Sequence, residues 1–310
     1  MLNKKLIEDI AAEVSVNVKG ICLTNEPISN HTSFKVGGAA ALYTYPENEN
    51  ALNSLLQICQ THSIKTLLIG YGNNLLVSDN GFNGCVIDLT ETFRKIEVDD
   101  THISASSGVW LNDVVDITAV KGLSGMEKLA GIPGGVGAGL SMNCGAFGSY
   151  ISDFLVDIRV MDSKGNIKTL KKSEVEFGYR ETPGLNGLIV LRAGFDLNRE
   201  KPVVVKDLVV ETIDERHRRN VMILPSAGSV FRNPKGDYAA KLLEGVSAKG
   251  MRVGGVEVSK AHANFIVNSN NGKASDIMEL IQKLRDLVFN KYNIELKLEL
   301  RTVGFDDFKE

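Results

Sequence analysis

A glycine turn directly after an apolar strand leaves backbone N–H groups free to hold phosphate oxygens. IGYGNNLL, residues 69–76, has that form. Gly70 and Gly72 begin a GxGxxG pattern, but Leu75 stands where the third glycine belongs, and no amphipathic helix follows at once. The Rossmann fingerprint therefore fails its own context. No GK[ST] exists to make a Walker A loop. The plainer reading of these residues is a structural turn. In GIPGGVGAGLSMNCGAFG, residues 131–148, seven of 18 residues are glycine. That density argues against regular structure over most of the stretch. A segment so poor in side chains is a weak element unless something packs on its backbone, and a large planar or polyphosphate ligand is one such partner. Ser141 and Asn143 could add side-chain hydrogen bonds there.

Three further places carry chemical groups. Arg180 in FGYRE follows an aromatic, a setting in which a surface ion pair is the default. Ser229 in PSAGSVFRNP lies between Gly228 and a strand-like VF, without the GxSxG frame of a nucleophile elbow. No His–Asp set is placed to complete a hydrolase triad. In ELKLELR, period two puts Glu295, Lys297, Glu299 and Arg301 on one face, which by default is solvated. His31 and His262 are lone histidines, better read as structural or surface groups.

The composition bounds the class. The chain has 310 residues, with 35 Lys and Arg against 38 Asp and Glu, a net charge of −3. No basic surplus exists to hold a nucleic acid or an anionic membrane by charge alone. Apolar residues are 43% and charged residues 24%, as in a globular enzyme or binding protein of two domains. Cys22, Cys59, Cys85 and Cys144 form no CxxC pair and no metal-ligand spacing, so reduced cytosolic thiols are expected and no metal. The opening MLNKKLIEDIAAEVS has acidic residues where a signal peptide needs an apolar core, and no run approaches the roughly 18 apolar residues of a membrane span. A cytoplasmic, monomeric protein is expected.

Elements that must position these groups follow from periodicity. Helices are expected at 3–17, 48–62, 110–121, 207–219 and, with the clearest stripe, 276–291. That stripe is Ile277, Leu280, Ile281, Leu284, Leu287 and Val288. KTLLIG, GCVIDL, 155–161 and 187–197 read as strands, KIEVDD and THISASSG as a hairpin, and IELKLELRTV as a half-buried strand. A short helix, DYAAKLLEG, is expected to be capped by Asp237 and stopped by Gly245. Pro202 in NREKPVVV marks the expected domain boundary.

NHTSFKVGG, GYGNNLLVSDNGFNG, GLSGMEKLAGIPGGVGAGLSMNCGAFG, YRE, PSAGSVFRNP, GGVEVSKAHANFIVN and ELKLELR occur in one order across residues 20–304. In that order they resemble the UDP-N-acetylenolpyruvoylglucosamine reductase (MurB) family of bacterial cell-wall synthesis. Each motif alone is weak; the ordered set is specific. The resemblance implies an α+β chain. Residues 1–200, split near 90 into two subdomains, would form an FAD-binding fold of the PCMH or vanillyl-alcohol-oxidase type. Residues 201–310 would form an α+β substrate domain. The implied activity is NADPH-dependent, FAD-mediated reduction of UDP-N-acetylglucosamine enolpyruvate to UDP-N-acetylmuramate, a step in peptidoglycan synthesis and so in cell shape and division. The FAD would be non-covalent.

The same resemblance assigns Arg180, Ser229 and Glu299 as catalytic residues by motif. It implies FAD contacts from Gly70, Tyr71, Gly72, Asn73, Asn74 and Leu75, and from Gly131, Ile132, Pro133, Gly134, Gly137, Ser141, Asn143, Gly145 and Ala146. Arg218, Arg219, Asn233 and Arg301 are the implied substrate contacts. Thr182 and Asn74 each stand where the family usually has Ser, and Val221–Met222 where it has Gln-Pro. No substrate-clamping Tyr loop is found between 201 and 230, which implies the shorter subclass. Two other readings stay open: another flavin oxidoreductase of this fold, and a flavin- or sugar-nucleotide-binding relative without turnover.

Overall fold

The computed structural model describes residues 4–218 and 225–305. In chain order the elements begin with α1 (Lys4–Asn17), β1 (Gly20–Pro27), β2 (Ala39–Pro46), α2 (Glu49–Thr61), β3 (Thr66–Ile69), β4 (Leu75–Val77) and β5 (Phe82–Asp88). Next come β6 (Ile96–Asp99), β7 (His102–Ser106), α3 (Leu111–Lys121), β8 (Leu123–Ser124), α4 (Val136–Ser141), β9 (Gly145–Ala146) and β10 (Ser149–Tyr150). Then follow β11 (Leu155–Asp162), β12 (Ile167–Lys171), β13 (Leu188–Asp196), β14 (Asn198–Arg199) and α5 (Pro202–Arg218). The last are α6 (Ala239–Gly245), β15 (Arg252–Val253), β16 (Val256–Val258), β17 (Ile266–Asn268), α7 (Ala274–Tyr292) and β18 (Arg301–Val303). No helix among the described residues is long and apolar enough to cross a membrane.

Packing divides the chain into two units. Among the described residues, one comprises 4–24, 42–70 and 84–216; the other comprises 25–41, 71–83, 217–218 and 225–305. Each unit is built from separate stretches of the chain. Pro202 opens α5, where a proline's missing N–H costs nothing, and the division falls near that helix's end.

The first unit holds most of a four-stranded sheet, order β1-β2-β5-β3, and a five-stranded antiparallel sheet, order β12-β11-β13-β7-β6. Alternation along β11, and in β13 a bulge that leaves Leu191 out of the register between Val190 and Arg192, let these two strands feed two cores. Met161 and Leu191 join Ile10, Leu52, Leu55 and Ile87, from α1, α2 and β5. Ile158, Val160 and Ala193 join Val114, Leu140 and Ile151. Locally, α2 starts where Asn48 accepts the Ala51 N–H at 3.0 Å. The hairpin β6–β7 turns at Asp100, whose φ is 55°. Strand β12 left no trace in the sequence pattern because it is an edge strand, exposed at four of its five residues.

The second unit has the antiparallel sheet β15-β16-β17, and β18 runs parallel to β4. Helix α7 supplies its core: Ile277, Leu280, Ile281, Leu284 and Val288 are buried among Val256, Val258 and Leu243. Leu287, expected on that stripe, is 37% exposed. It sits at the edge of the buried arc. Asp79 accepts the N–H groups of Ala274 and Ser275, both at 2.9 Å, and so holds the start of α7. Burial opposes ionisation of Asp79, but these two bonds, with the Ser275 side chain and the Lys273 charge, outweigh it and keep its pKa low. Leu280→Ala should destabilise the unit by about 2–5 kcal/mol, the range for emptying a packed Leu site. A urea melt showing no loss would contradict this assignment of the core.

Two other expectations need correction. Asp237 does not cap α6: it accepts from Tyr238 N and Lys241, and the Ala239 N–H goes to Asn233 Oδ1 at 3.0 Å. IELKLELRTV is a regular strand only at Arg301–Val303. Before that, residues 297–299 make single bonds to a neighbouring irregular segment, although Leu296 and Leu300 stay buried as the alternation predicted.

Candidate active site

In the first unit the glycine-rich segment is more ordered than its composition suggests. It contains the six-residue helix α4, whose two glycines pack closely on neighbouring atoms. A Cβ on Gly137 would lie 2.7 Å from that of Ser107, and one on Gly139 would lie 3.0 Å from the Cys144 sulfur. The Gly137 N–H is already given to Ser107 O, and the exposed Ser141 hydroxyl donates back to Gly137 O. Gly131 N donates to Asn112 Oδ1, and Ile132 O accepts from Asn112 Nδ2. Pro133 is exposed, and Ala146 pairs with Ser149 in a two-residue hairpin rung. Gly134 has nothing within 4 Å of where a Cβ would stand. Gly70 ends β3 within 3.3 Å, by its absent Cβ, of Ala138.

Arg180 is mounted on this segment by three bonds from one turn. Asn143 Nδ2 donates to Gly178 O at 3.0 Å, Arg180 Nη1 donates to Gly145 O at 3.0 Å, and the Thr182 hydroxyl donates to Leu140 O at 2.6 Å. Thr182 thus seats a buried hydroxyl on the segment. Arg180 itself is left-handed, with φ 60°, a conformation that a large side chain rarely adopts. Sequence reasoning missed a second guanidinium. Arg216, in the last turn of α5, donates from Nε to Ala130 O at 2.5 Å and lies 5.1 Å over the Phe147 ring. Burial, with the like charge of Arg180, lowers its pKa. Between them Cys144 is buried, and burial pushes its thiol up to about 12 against the pull of both arginines. The run ERHRR pointed to cations here, but helical phase decides which one turns inward. Arg218 is exposed, and Arg219 lies outside the described residues.

In the second unit, Ser229 and Glu299 stand on neighbouring segments. Ser229 forms a bridge with Phe265, and Phe231 with Leu298. Glu299 N donates to Val230 O at 2.8 Å, and Arg232 N donates to Lys297 O at 2.9 Å. Buried Asn264 behaves as a strand surrogate: its side chain accepts from Phe231 N at 3.0 Å and donates to Phe231 O at 2.8 Å. The loop 71–74 lies on the other side of the Glu299 segment, where Asn74 Nδ2 donates to Glu299 O at 2.9 Å. Gly72 is left-handed, with φ 64°, and a Cβ there would strike His31 O at 2.1 Å, so only glycine fits. Tyr71 is half-buried, and Leu75 is buried at the start of β4 opposite Arg301, whose side chain is exposed. Asn233 spends its side-chain oxygen on capping α6. Both lone histidines are structurally engaged. His31 Nε2 is 2.9 Å from Glu26. His262 Nδ1 accepts from Asn264 N, and burial lowers the His262 pKa.

Residues 17–171 match the model of an FAD binding domain, and residues 219–303 match that of the C-terminal domain of UDP-N-acetylenolpyruvoylglucosamine reductase. The reductase of Clostridium tetani is 38% identical over 302 residues, covering 97% of this chain and 96% of that protein. The chain belongs to the UDP-N-acetylenolpyruvoylglucosamine reductase family. The Clostridioides difficile member is 36% identical over 91% of this chain and 93% of its own length. The crystal structure of the MurB reductase from Thermus caldophilus superposes with a TM-score of 0.80 at 28% identity, over 93% of this chain and all of that one.

The FAD-binding domain of this MurB chain can be tested against its own polar groups. Buried polar atoms are nearly always paired. Yet Asn143 Oδ1 and Ser107 Oγ in the first unit, and Asn73 Nδ2 in the second, are buried without a hydrogen-bond partner. Two of the three lie in the loops expected to touch FAD, and Gly134 faces open space in one of them. Asn73 Nδ2 and Ser107 Oγ can donate to phosphate oxygens and Asn143 Oδ1 can accept from a ring N–H or a hydroxyl, so these residues fit a cofactor that carries both kinds of group, as FAD does.

Proposed function

We infer that this chain reduces the enolpyruvyl ether of UDP-N-acetylglucosamine to UDP-N-acetylmuramate for peptidoglycan precursor synthesis, with Arg180, Ser229 and Glu299 as its catalytic residues. What carries the reading is whole-length membership of the reductase family, at 38% identity over 97% of the chain, together with the pairing of the Ser229 and Glu299 segments. When bound and reduced by NADPH, FAD would supply hydride chemistry at the terminal enolpyruvyl carbon. Asn73, Asn143 and the glycine turns at 70–72 and 131–134 are the residues that would hold it.

The protein's own groups then act on the substrate. Negative charge flows onto the substrate carboxylate as an enediolate-like species forms. The Arg180 guanidinium, held by Gly145 O, is matched to that charge. Glu299 acts as a neutral acid that donates a hydrogen bond to the same carboxylate, since an ionised carboxylate there would repel it. The remaining enolpyruvyl carbon takes its proton from the Ser229 hydroxyl. Arg216 is a further cation for anionic groups of cofactor or substrate, and Arg301, Asn233, Arg218 and Arg219 belong to the proposed substrate side.

An NADPH-oxidation assay tests the reading. Consumption should depend on the enolpyruvyl substrate and reach one equivalent per substrate reduced, and acid precipitation should release the flavin. NADPH consumption indifferent to that substrate, or flavin carried down with the protein, would favour another flavoenzyme of this fold. The cytoplasmic location and monomeric state are part of the same proposal, to be checked by cell fractionation and light scattering.

A further inference from the structure

We propose that Asn74 is a positioning residue that sets where Glu299 stands during the reaction. The proposal rests on the reading of Glu299 as the acid that serves the substrate carboxylate. Asn74 grips the chain on both sides of residue 300. Its Nδ2 donates to Glu299 O at 2.9 Å, and its own carbonyl accepts from Arg301 N at 3.0 Å. From that rung β4 and β18 run parallel, with Leu75 opposite Arg301 and Val77 opposite Val303.

The side-chain bond extends this pairing backwards to a residue that the ladder does not reach. On its other edge Glu299 gives its N–H to Val230 O, in the segment of Ser229. Both main-chain groups of Glu299 are therefore engaged, one by the segment of the proton donor and one by the turn expected to hold the cofactor. Residues 294–300 form no regular strand, so these two bonds do what a ladder does elsewhere. Burial of Leu296 and Leu300 fixes the depth of the segment but not its slide along its axis, since apolar contact is non-directional. Directional bonds set that slide, and of those on Glu299 the Asn74 amide is the one made by a side chain and so open to substitution. A reacting group displaced by about 1 Å can lose about 10²-fold in rate.

The test uses the FAD-loaded enzyme, reduced with NADPH and mixed with enolpyruvyl substrate. Asn74→Ala removes the donor. Asn74→Asp keeps the shape and the main-chain rung but sets an acceptor against the Glu299 carbonyl. Both variants should slow flavin reoxidation about 10- to 100-fold, with FAD still retained stoichiometrically through gel filtration. In a Glu299→Ala background the loss from Asn74→Ala should shrink to less than about threefold, because the two changes remove one interaction. Multiplying losses, a wild-type rate in both Asn74 variants, or a loss traced to FAD dissociation would each overturn the proposal. A wild-type rate in Glu299→Ala alone would instead refute the role given to Glu299. If Asn74→Ala does not fold, Asn74→Asp and its combination with Glu299→Ala give the same reading.

Discussion

Ser229→Ala should slow reoxidation of the reduced flavin by the enolpyruvyl substrate by about 10²–10⁴, the usual worth of general acid catalysis. Reduction of the flavin by NADPH should run at a near-normal rate. The asymmetry follows from the chemistry: only the substrate half-reaction ends with a proton on carbon. The fold should tolerate the change. Val230 is bonded through its backbone to Asn264 O and Glu299 N, and Phe231 is pinned by the Asn264 side chain, so the segment does not depend on the hydroxyl. Gly228, with φ 78°, has nothing within 4 Å of its missing Cβ, which leaves the half-buried Ser229 beside open space. Stopped-flow traces of the two half-reactions decide the matter. Equal loss in both would deny Ser229 the role of proton donor.

Arg180→Ala should cost about 10²–10³ in the same half-reaction, the scale for removing one fixed donor from a developing oxyanion. Arg180→Lys should fall between this variant and the wild type, because an ammonium keeps the charge but not the planar fork. The backbone supports a functional reading of this residue. An arginine at φ 60° holds a sparsely populated conformation that costs on the order of 1–3 kcal/mol. The turn keeps it there with the Gly178 N–H to Glu181 O bond at 2.9 Å and the anchors from Asn143 and Thr182. Arg180→Gly should therefore melt at a temperature no lower than Arg180→Ala while being just as slow. Rates in Arg180→Ala that match the wild type, or that fall equally for NADPH, would remove the arginine from the substrate chemistry.

Much of this was legible in the residues themselves. Helix α7 announced itself because one face of a 3.6-residue period had to be buried, and five of its six expected stripe residues are. The hairpin β6–β7 was readable from two apolar alternations around a polar turn. The glycine segments showed where backbone is laid bare, and the order of seven weak motifs identified the family. Pattern failed where an element has no buried face of its own. Edge strand β12 is exposed almost throughout, and the chain before Arg301 is tied by isolated bonds rather than by a ladder. Helix α4 was hidden because its glycines fit neighbouring atoms and not a local preference.

The sequence by itself determined the chemical inventory and the helices and strands that carry their own periodicity. It did not say which bare turns face each other. Asn74 and Glu299 are 225 positions apart and meet through one amide. Arg216 rather than Arg218 turns inward, and Thr182 seats its hydroxyl on Leu140. Those choices belong to the tertiary structure alone. Periodicity records that a face is buried but not what it is buried against, and a single directional bond between irregular segments leaves no repeat in the chain to read.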